Sequence, residues 1–168
     1  MISRRSLSGL AAGVAAAAAL GRYLPLGAAR AAADGGKSYP IVKTDAEWRQ
    51  MLTPAQYEVL RKEGTEPPFS SPLNNEHRKG VFACAGCEQH AFLSETKFDS
   101  GTGWPSFYAP IEGAVDTAED RSFGMLRTKV SCSRCGGHLG HVFEDGPKPT
   151  GLRYCMNGLA LAFTAAEA

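Results

Sequence analysis

The chain is 168 residues long and carries 18 lysines and arginines against 17 aspartates and glutamates, a formal charge of +1. That length makes one domain, large enough to bury a real core without staples, and so even a charge balance excludes a broadly basic nucleic-acid binder.

The first 33 residues differ from everything after them. Ser3-Arg4-Arg5-Ser6-Leu7 sets paired arginines ahead of an uncharged, alanine-rich run from Ser6 to Gly21, and Ala31-Ala32-Ala33 offers an Ala-x-Ala cleavage site. Residues 1–33 therefore read as a twin-arginine export signal, cleaved on export to the periplasm. An uncleaved membrane anchor is the rival reading, but a spanning helix needs about 20 strongly apolar residues, and this run is shorter and mostly alanine and glycine. The signal holds Arg4, Arg5, Arg22 and Arg30 and no acid, so its removal leaves 14 basic and 17 acidic side chains, a net charge of −3. A mature protein of that charge has no nucleic-acid partner and, without its signal, no stable membrane association; a monomer is expected. Residues 34–43 read as a linker and residues 44–168 as the folded domain.

Two short helices open the domain. Thr44-Asp45-Ala46-Glu47 is a capping box, followed by Trp48, Met51 and Leu52 at helical spacing. Thr53-Pro54 then starts a second helix that carries Tyr57 and Leu60 and stops at Gly64. From Pro67 onward short apolar runs are cut by glycine, proline, serine and asparagine. Val81-Phe82-Ala83, Ala91-Phe92-Leu93, Ser106-Phe107-Tyr108, Phe123 to Val130, His141-Val142-Phe143, Leu152 to Met156 and Leu159 to Phe163 are predicted as antiparallel strands joined by turns. The stretch from Pro67 to Asn75 is a loop.

The five cysteines divide into two Cys-x-x-Cys pairs, Cys84/Cys87 and Cys132/Cys135, and a single Cys155. Two such knuckles supply the four soft thiolates that one tetrahedral zinc takes. Two disulfides are the alternative, but paired knuckles across a long insert favour metal. Twin-arginine export, as the likeness of the signal implies, carries proteins already folded, so zinc can be loaded in the reducing cytoplasm.

Cys155 has no such partner. A lone cysteine is often just a small buried hydrophobe, but strand alternation puts Arg153, Cys155 and Asn157 on one face, which makes a poor core and a plausible site. His138 and His141, three apart and directly after the second knuckle, are superfluous as zinc ligands and available for proton transfer; a structural role for one of them is equally open. Asp145 either orients an imidazole or serves the turn at Asp145-Gly146-Pro147. Trp104, in the glycine-rich loop before Pro105, suits an aromatic wall for an apolar group.

These segments, in order, resemble the methionine sulfoxide reductase B family from about Trp48 to Phe163. The likeness rests on Cys84-x-x-Cys87, Ser100-Gly101-Thr102-Gly103-Trp104-Pro105-Ser106-Phe107, Cys132-x-x-Cys135, His138-Leu139-Gly140-His141-Val142-Phe143 and Arg153-Tyr154-Cys155-Met156-Asn157. It implies a mainly β fold, two antiparallel sheets stapled by a four-cysteine zinc site behind short N-terminal helices. It also implies Cys155 as nucleophile, His138, His141, Arg153 and Asn157 as polar site residues, and Trp104 and Phe143 as substrate-binding residues. The implied activity is reduction of methionine-R-sulfoxide in oxidised peptides and proteins, through a sulfenic acid on Cys155. Many family members carry a resolving cysteine where this chain has Thr102; with four cysteines on zinc no partner thiol is left, so an external thiol such as a thioredoxin-like protein is the expected reductant. Two rivals belong to other classes: a zinc-stapled binding module without catalysis, and a cysteine hydrolase that forms an acyl-enzyme.

Overall fold

The computed structural model describes residues 37–167, so the export signal expected at residues 1–33 lies outside the described residues. Two helices come first, α1 (Asp45–Met51) and α2 (Pro54–Lys62). Thr44 and Thr53 cap them, each hydroxyl accepting the backbone N–H three residues on while Glu47 and Gln56 reach back to the cap N–H. Each box satisfies two of the donors that a helix start leaves orphaned. The second helix stops where Gly64 announces it, although the left-handed residue is Glu63, at φ 55. Its carboxylate accepts from Lys129 Nζ at 2.9 Å, which ties the end of α2 to the sheet below. Trp48, Tyr57, Val59 and Leu60 form the buried face of the pair.

Nine strands follow among the described residues: β1 (Gly80–Cys84), β2 (His90–Leu93), β3 (Lys97–Phe98), β4 (Ser106–Phe107), β5 (Val115–Asp120), β6 (Arg127–Cys132), β7 (His138–Phe143), β8 (Arg153–Met156) and β9 (Leu161–Ala165). They make a three-stranded sheet in the order β2-β1-β9 and a six-stranded sheet in the order β3-β4-β8-β7-β6-β5. Every pairing is antiparallel. The expected class, mainly β with two antiparallel sheets and short N-terminal helices, is the one found.

Aromatic rings join the sheets. Phe107 of β4 stacks on Phe92 of β2 at a centroid distance of 4.4 Å and meets Phe82 of β1 edge-on at 4.9 Å. All three are completely buried, and such offset and T-shaped contacts add specificity to the area they remove from water.

Sequence reading missed β5 and misplaced the starts of β6 and β9, for different reasons. β5 reads Val-Asp-Thr-Ala-Glu-Asp and is an edge strand with half of its residues exposed, so period-2 alternation never shows. The expected strand Phe123 to Val130 begins only at Arg127, because Ser122–Gly124 forms a 3-10 turn that closes the β5–β6 hairpin. Leu159 likewise belongs to a 3-10 turn, Gly158–Ala160, ahead of β9. Part of the stretch read as linker lies against the domain: Lys37 pairs with Asp116 at 2.5 Å, and the Ile41 N–H bonds the Arg134 carbonyl at 2.9 Å.

Candidate functional site

The two Cys-x-x-Cys knuckles are built alike. Cys84 ends β1 and Cys132 ends β6, and each cysteine opens a turn that delivers the second thiol, Cys87 or Cys135. The Glu88 N–H closes the first turn on the Cys84 carbonyl at 2.8 Å, and the Gly136 N–H closes the second on the Cys132 carbonyl at 2.9 Å. All four sulfurs lie within 4.8 Å of one another. Cys84 and Cys135 are 3.8 Å apart and Cys87 and Cys132 are 3.5 Å apart. A tetrahedron with metal–sulfur bonds of about 2.3 Å has edges of about 3.8 Å, so the donor set fits one metal ion. None of the cysteines is in a disulfide. β1 belongs to the small sheet and β6 to the large one, so an ion held by the four thiolates would link the two sheets.

Cys155 lies elsewhere, in a cavity of about 130 Å³. β8 sits between β4 and β7, and Cys155 faces Ser106 on one side and His141 on the other. Trp104 and Phe143 supply the apolar lining, while His141, Asn157, Arg127 and Thr65 supply the polar one. Gly140 completes the wall; a Cβ there would come within 2.2 Å of the Cys155 carbonyl oxygen, so only glycine lets β7 approach β8 this closely. None of the four clustered cysteines reaches the cavity.

The loop carrying Trp104 is fixed from two directions. Trp104 Nε1 donates to the Glu66 carbonyl at 3.0 Å. Gly103, at φ 95, packs on Phe69, whose N–H bonds the Gly103 carbonyl at 2.7 Å. Asn157 is bound on both ends of its amide: Oδ1 accepts from the Glu66 N–H at 3.0 Å and Nδ2 donates to the Leu139 carbonyl at 3.2 Å. The buried Glu66 carboxylate in turn accepts the Gly158 and Leu159 N–H groups. One residue thereby connects the tryptophan, the asparagine and the turn after Cys155. Glu66 escaped the sequence reading because Thr65-Glu66-Pro67-Pro68 looks like an ordinary loop.

The Cys155 thiol is half-buried, and burial pushes its pKa up. Three groups oppose that: the Thr102 hydroxyl, the Arg153 charge and the Ser106 hydroxyl. Thr102 Oγ1 lies 3.8 Å from the sulfur, in a chain of hydroxyls that runs on to Ser100 Oγ at 2.8 Å and then to Ser106 Oγ at 2.7 Å. Arg153 does not line the cavity. Its guanidinium lies 4.5 Å over the Phe143 ring and is gripped by Asp145 through Nε at 2.9 Å and Nη2 at 2.8 Å. Asp145 therefore orients the arginine, and an imidazole is oriented by a residue no motif announced.

The histidines separate. His138 is 3 % exposed, and neither ring nitrogen has a hydrogen-bond partner among the described residues. Burial first, and neighbouring His141 second, push its pKa down to about 4. His141, 5.2 Å away ring to ring, lines the cavity and has Nε2 2.7 Å from Asp120 Oδ2. Burial lowers its pKa too, and the bond to Asp120 opposes that.

Fold and site together define a small β protein with a cysteine quartet spaced to hold a metal ion and, apart from it, one thiol beside an aromatic wall and an imidazole. Residues 52–165 match the SelR domain family. Curated relatives named peptide methionine sulfoxide reductase MsrB include one from Agrobacterium fabrum, 56% identical over 124 residues, covering 73% of this chain and 92% of the relative. One from Leptospira interrogans is 53% identical, covering 75% of this chain and 97% of its own length, and one from Methanosarcina mazei is 56% identical, covering 76% and 91%. The chain belongs to the methionine sulfoxide reductase B family.

Proposed function

We propose that this protein reduces methionine-R-sulfoxide in peptides and proteins to methionine, with Cys155 as the nucleophile. The observation that carries this reading is the separation of the thiols: four gather at a metal-binding cluster, while the fifth stands in a cavity with Trp104 and His141. A sulfoxide needs a soft nucleophile and a proton for its oxygen. Cys155 supplies the first and His141 the second. The net step is thiol plus sulfoxide to sulfenic acid plus thioether. The S–O bond breaks, the oxygen ends as the hydroxyl on Cys155, and the methionine sulfur keeps the electron pair that the cysteine sulfur gives up. His138, buried and with its pKa pushed down to about 4, is neutral at neutral pH and packs behind its partner.

Trp104 and Phe143 receive the substrate methyl, and the polar lining receives the oxygen. Placing methyl and oxygen on different walls around a chiral sulfur selects one epimer. Arg153, held by Asp145 over Phe143, brings positive charge toward the thiolate, and Asn157 holds the cavity's shape through Glu66.

The metal is zinc, held by Cys84, Cys87, Cys132 and Cys135. Four thiolates close its tetrahedron, so it supplies structure and keeps no open position for water. Thr102 stands 3.8 Å from the Cys155 sulfur and cannot form a disulfide, so an external thiol, such as a thioredoxin-like protein, reduces the sulfenic acid. Export through residues 1–33 to the periplasm would place this repair on exported proteins; amino-terminal sequencing of the protein recovered from that compartment tests it, and a chain retained whole in the cytoplasm would contradict it.

The test of the function is reduction of each sulfoxide epimer in a peptide by the wild type and by Cys155→Ser, with zinc content measured alongside. Turnover of the R epimer by the wild type, lost in the variant at unchanged zinc content, is expected. Activity in the variant would overturn the assignment.

A further inference from the structure

His141 is held from behind by a cluster at the end of the β5–β6 hairpin. Asp120 closes β5 and Arg127 opens β6, directly across from it. Asp120 Oδ2 lies 2.7 Å from both His141 Nε2 and Arg127 Nη2, and Asp120 Oδ1 accepts the Ser122 N–H at 2.8 Å. The carboxylate and the imidazole are only 11% and 13% exposed. His141 Nδ1 has no hydrogen-bond partner among the described residues, and the ring lines the Cys155 cavity. The nitrogen facing the carboxylate carries the proton, which leaves the other as the one open to a ligand.

We propose that Asp120 is the positioning residue of the proton donor: it fixes the His141 tautomer with hydrogen on Nε2, presents Nδ1 to the sulfoxide oxygen, and supports the positive charge of the ring once Nδ1 is protonated. This rests on the reading of His141 as donor given above. The proton leaves Cys155 for Nδ1, and it passes from Nδ1 to the sulfoxide oxygen as the S–O bond breaks. Asp120 takes no proton. Ser122 first, then His141 and Arg127, hold its carboxyl well below the usual carboxylate range, so it stays an anion throughout.

The geometry makes the charge of Asp120 the main support that the imidazolium has. Of the other groups facing His141, Arg127 on β6 opposes a positive ring, as would a protonated His138 on its own strand; Lys129, across from His141 on β6, acts against a positive His138. Glu63, at the end of α2, favours it but is already paired with Lys129. On β8, Cys155 is the proton's source, and Arg153 is occupied by Asp145. Loss of the Asp120 charge therefore lowers the His141 pKa further.

The reactive form, thiolate with imidazolium, holds as many protons as the thiol with neutral imidazole that dominates between the two pKa values. Its share falls as the gap widens. A fall of about tenfold in the rate plateau and a move of about one pH unit in the acid limb are then the same loss seen twice.

The experiment is single-turnover reduction of a methionine-R-sulfoxide peptide by the zinc-loaded mature protein, from about pH 4.5 to 10, with Asp120→Asn, Asp120→Glu, His141→Asn and the Asp120→Asn/His141→Asn double variant. Asp120→Asn should lower the plateau roughly 10- to 100-fold and carry the acid limb to lower pH by a matching amount, Asp120→Glu should recover part of both, and the double variant should be no slower than His141→Asn alone. A slower Asp120→Asn with an unmoved limb, or a full further loss in the His141→Asn background, overturns the proposal. A wild type inert to both epimers would instead refute the function, and a His141→Asn protein as fast as the wild type would refute the choice of donor. Nitrogen NMR of His141 in the unaltered protein needs no variant to fold: hydrogen on Nε2 is expected, and hydrogen on Nδ1 at neutral pH would end the proposal.

Discussion

Cys155 and the two histidines show how environment assigns roles to side chains that a motif leaves equivalent. His138 and His141 both face burial, but only His141 combines a place in the cavity with an acidic partner. His138 is a neutral ring in the core, so its ring-proton NMR signals should stay unshifted as pH falls from about 7 to 5, since its pKa lies near 4; a midpoint near the ordinary value of 6.5 would contradict this. The pH dependence of reduction follows from the same two directions. Burial lowers His141 and raises Cys155, so the rate should hold across neutral pH, fall on the acid side only below the ordinary histidine range and fall on the alkaline side only above the ordinary thiol range. Trp104→Ala removes the wall and its bond to Glu66 together, and kcat/KM should drop about 30-fold, or ~2 kcal/mol. The residue types at the site were legible because thiol, imidazole and tryptophan announce chemistry. Asp120, Arg127 and Glu66 were not, because they sit in an exposed strand, a hairpin start and a loop, and only tertiary placement brings them in.

At the scale of elements, both helix starts were legible, in the Thr44-x-x-Glu47 box and in Thr53-Pro54, while the second box that Gln56 completes showed only in the structure. Strands with apolar alternation were legible too. β5 was hidden, since an edge strand needs no buried face, and with it went the carboxylate that pairs with His141. β4 is only two residues long, yet it carries Phe107 into the junction of the sheets and sets Ser106 beside Cys155. Phe107→Ala should cost roughly 3–5 kcal/mol, read as a lower urea midpoint at unchanged slope. A cost below about 1 kcal/mol would mean that the aromatic cluster does not hold the sheets together.

For the whole molecule, the cysteine quartet adds a second link between two sheets that the aromatic cluster already joins. It joins the ends of β1 and β6 within the same packed interior as Phe82, Val130 and Leu139. Removing the metal should lower the thermal midpoint by roughly 15 °C or more, since a loss of only about 4 kcal/mol is enough for that in a domain of this size. An unchanged midpoint after complete chelation would show that the quartet is not a metal staple. That four cysteines would gather at metal-binding spacing and one would stand apart was legible from their pairing in sequence; that the two groups stand on different parts of the fold required the strand order.

The most direct measurement is one turnover on a methionine-R-sulfoxide peptide without reductant, followed by mass analysis of the intact chain and by zinc content. One methionine formed per chain, one added oxygen located on Cys155, no intramolecular disulfide and full zinc retention are expected. A disulfide to any of Cys84, Cys87, Cys132 or Cys135, or zinc released in step with turnover, would contradict the division between one reacting sulfur and four that bind metal.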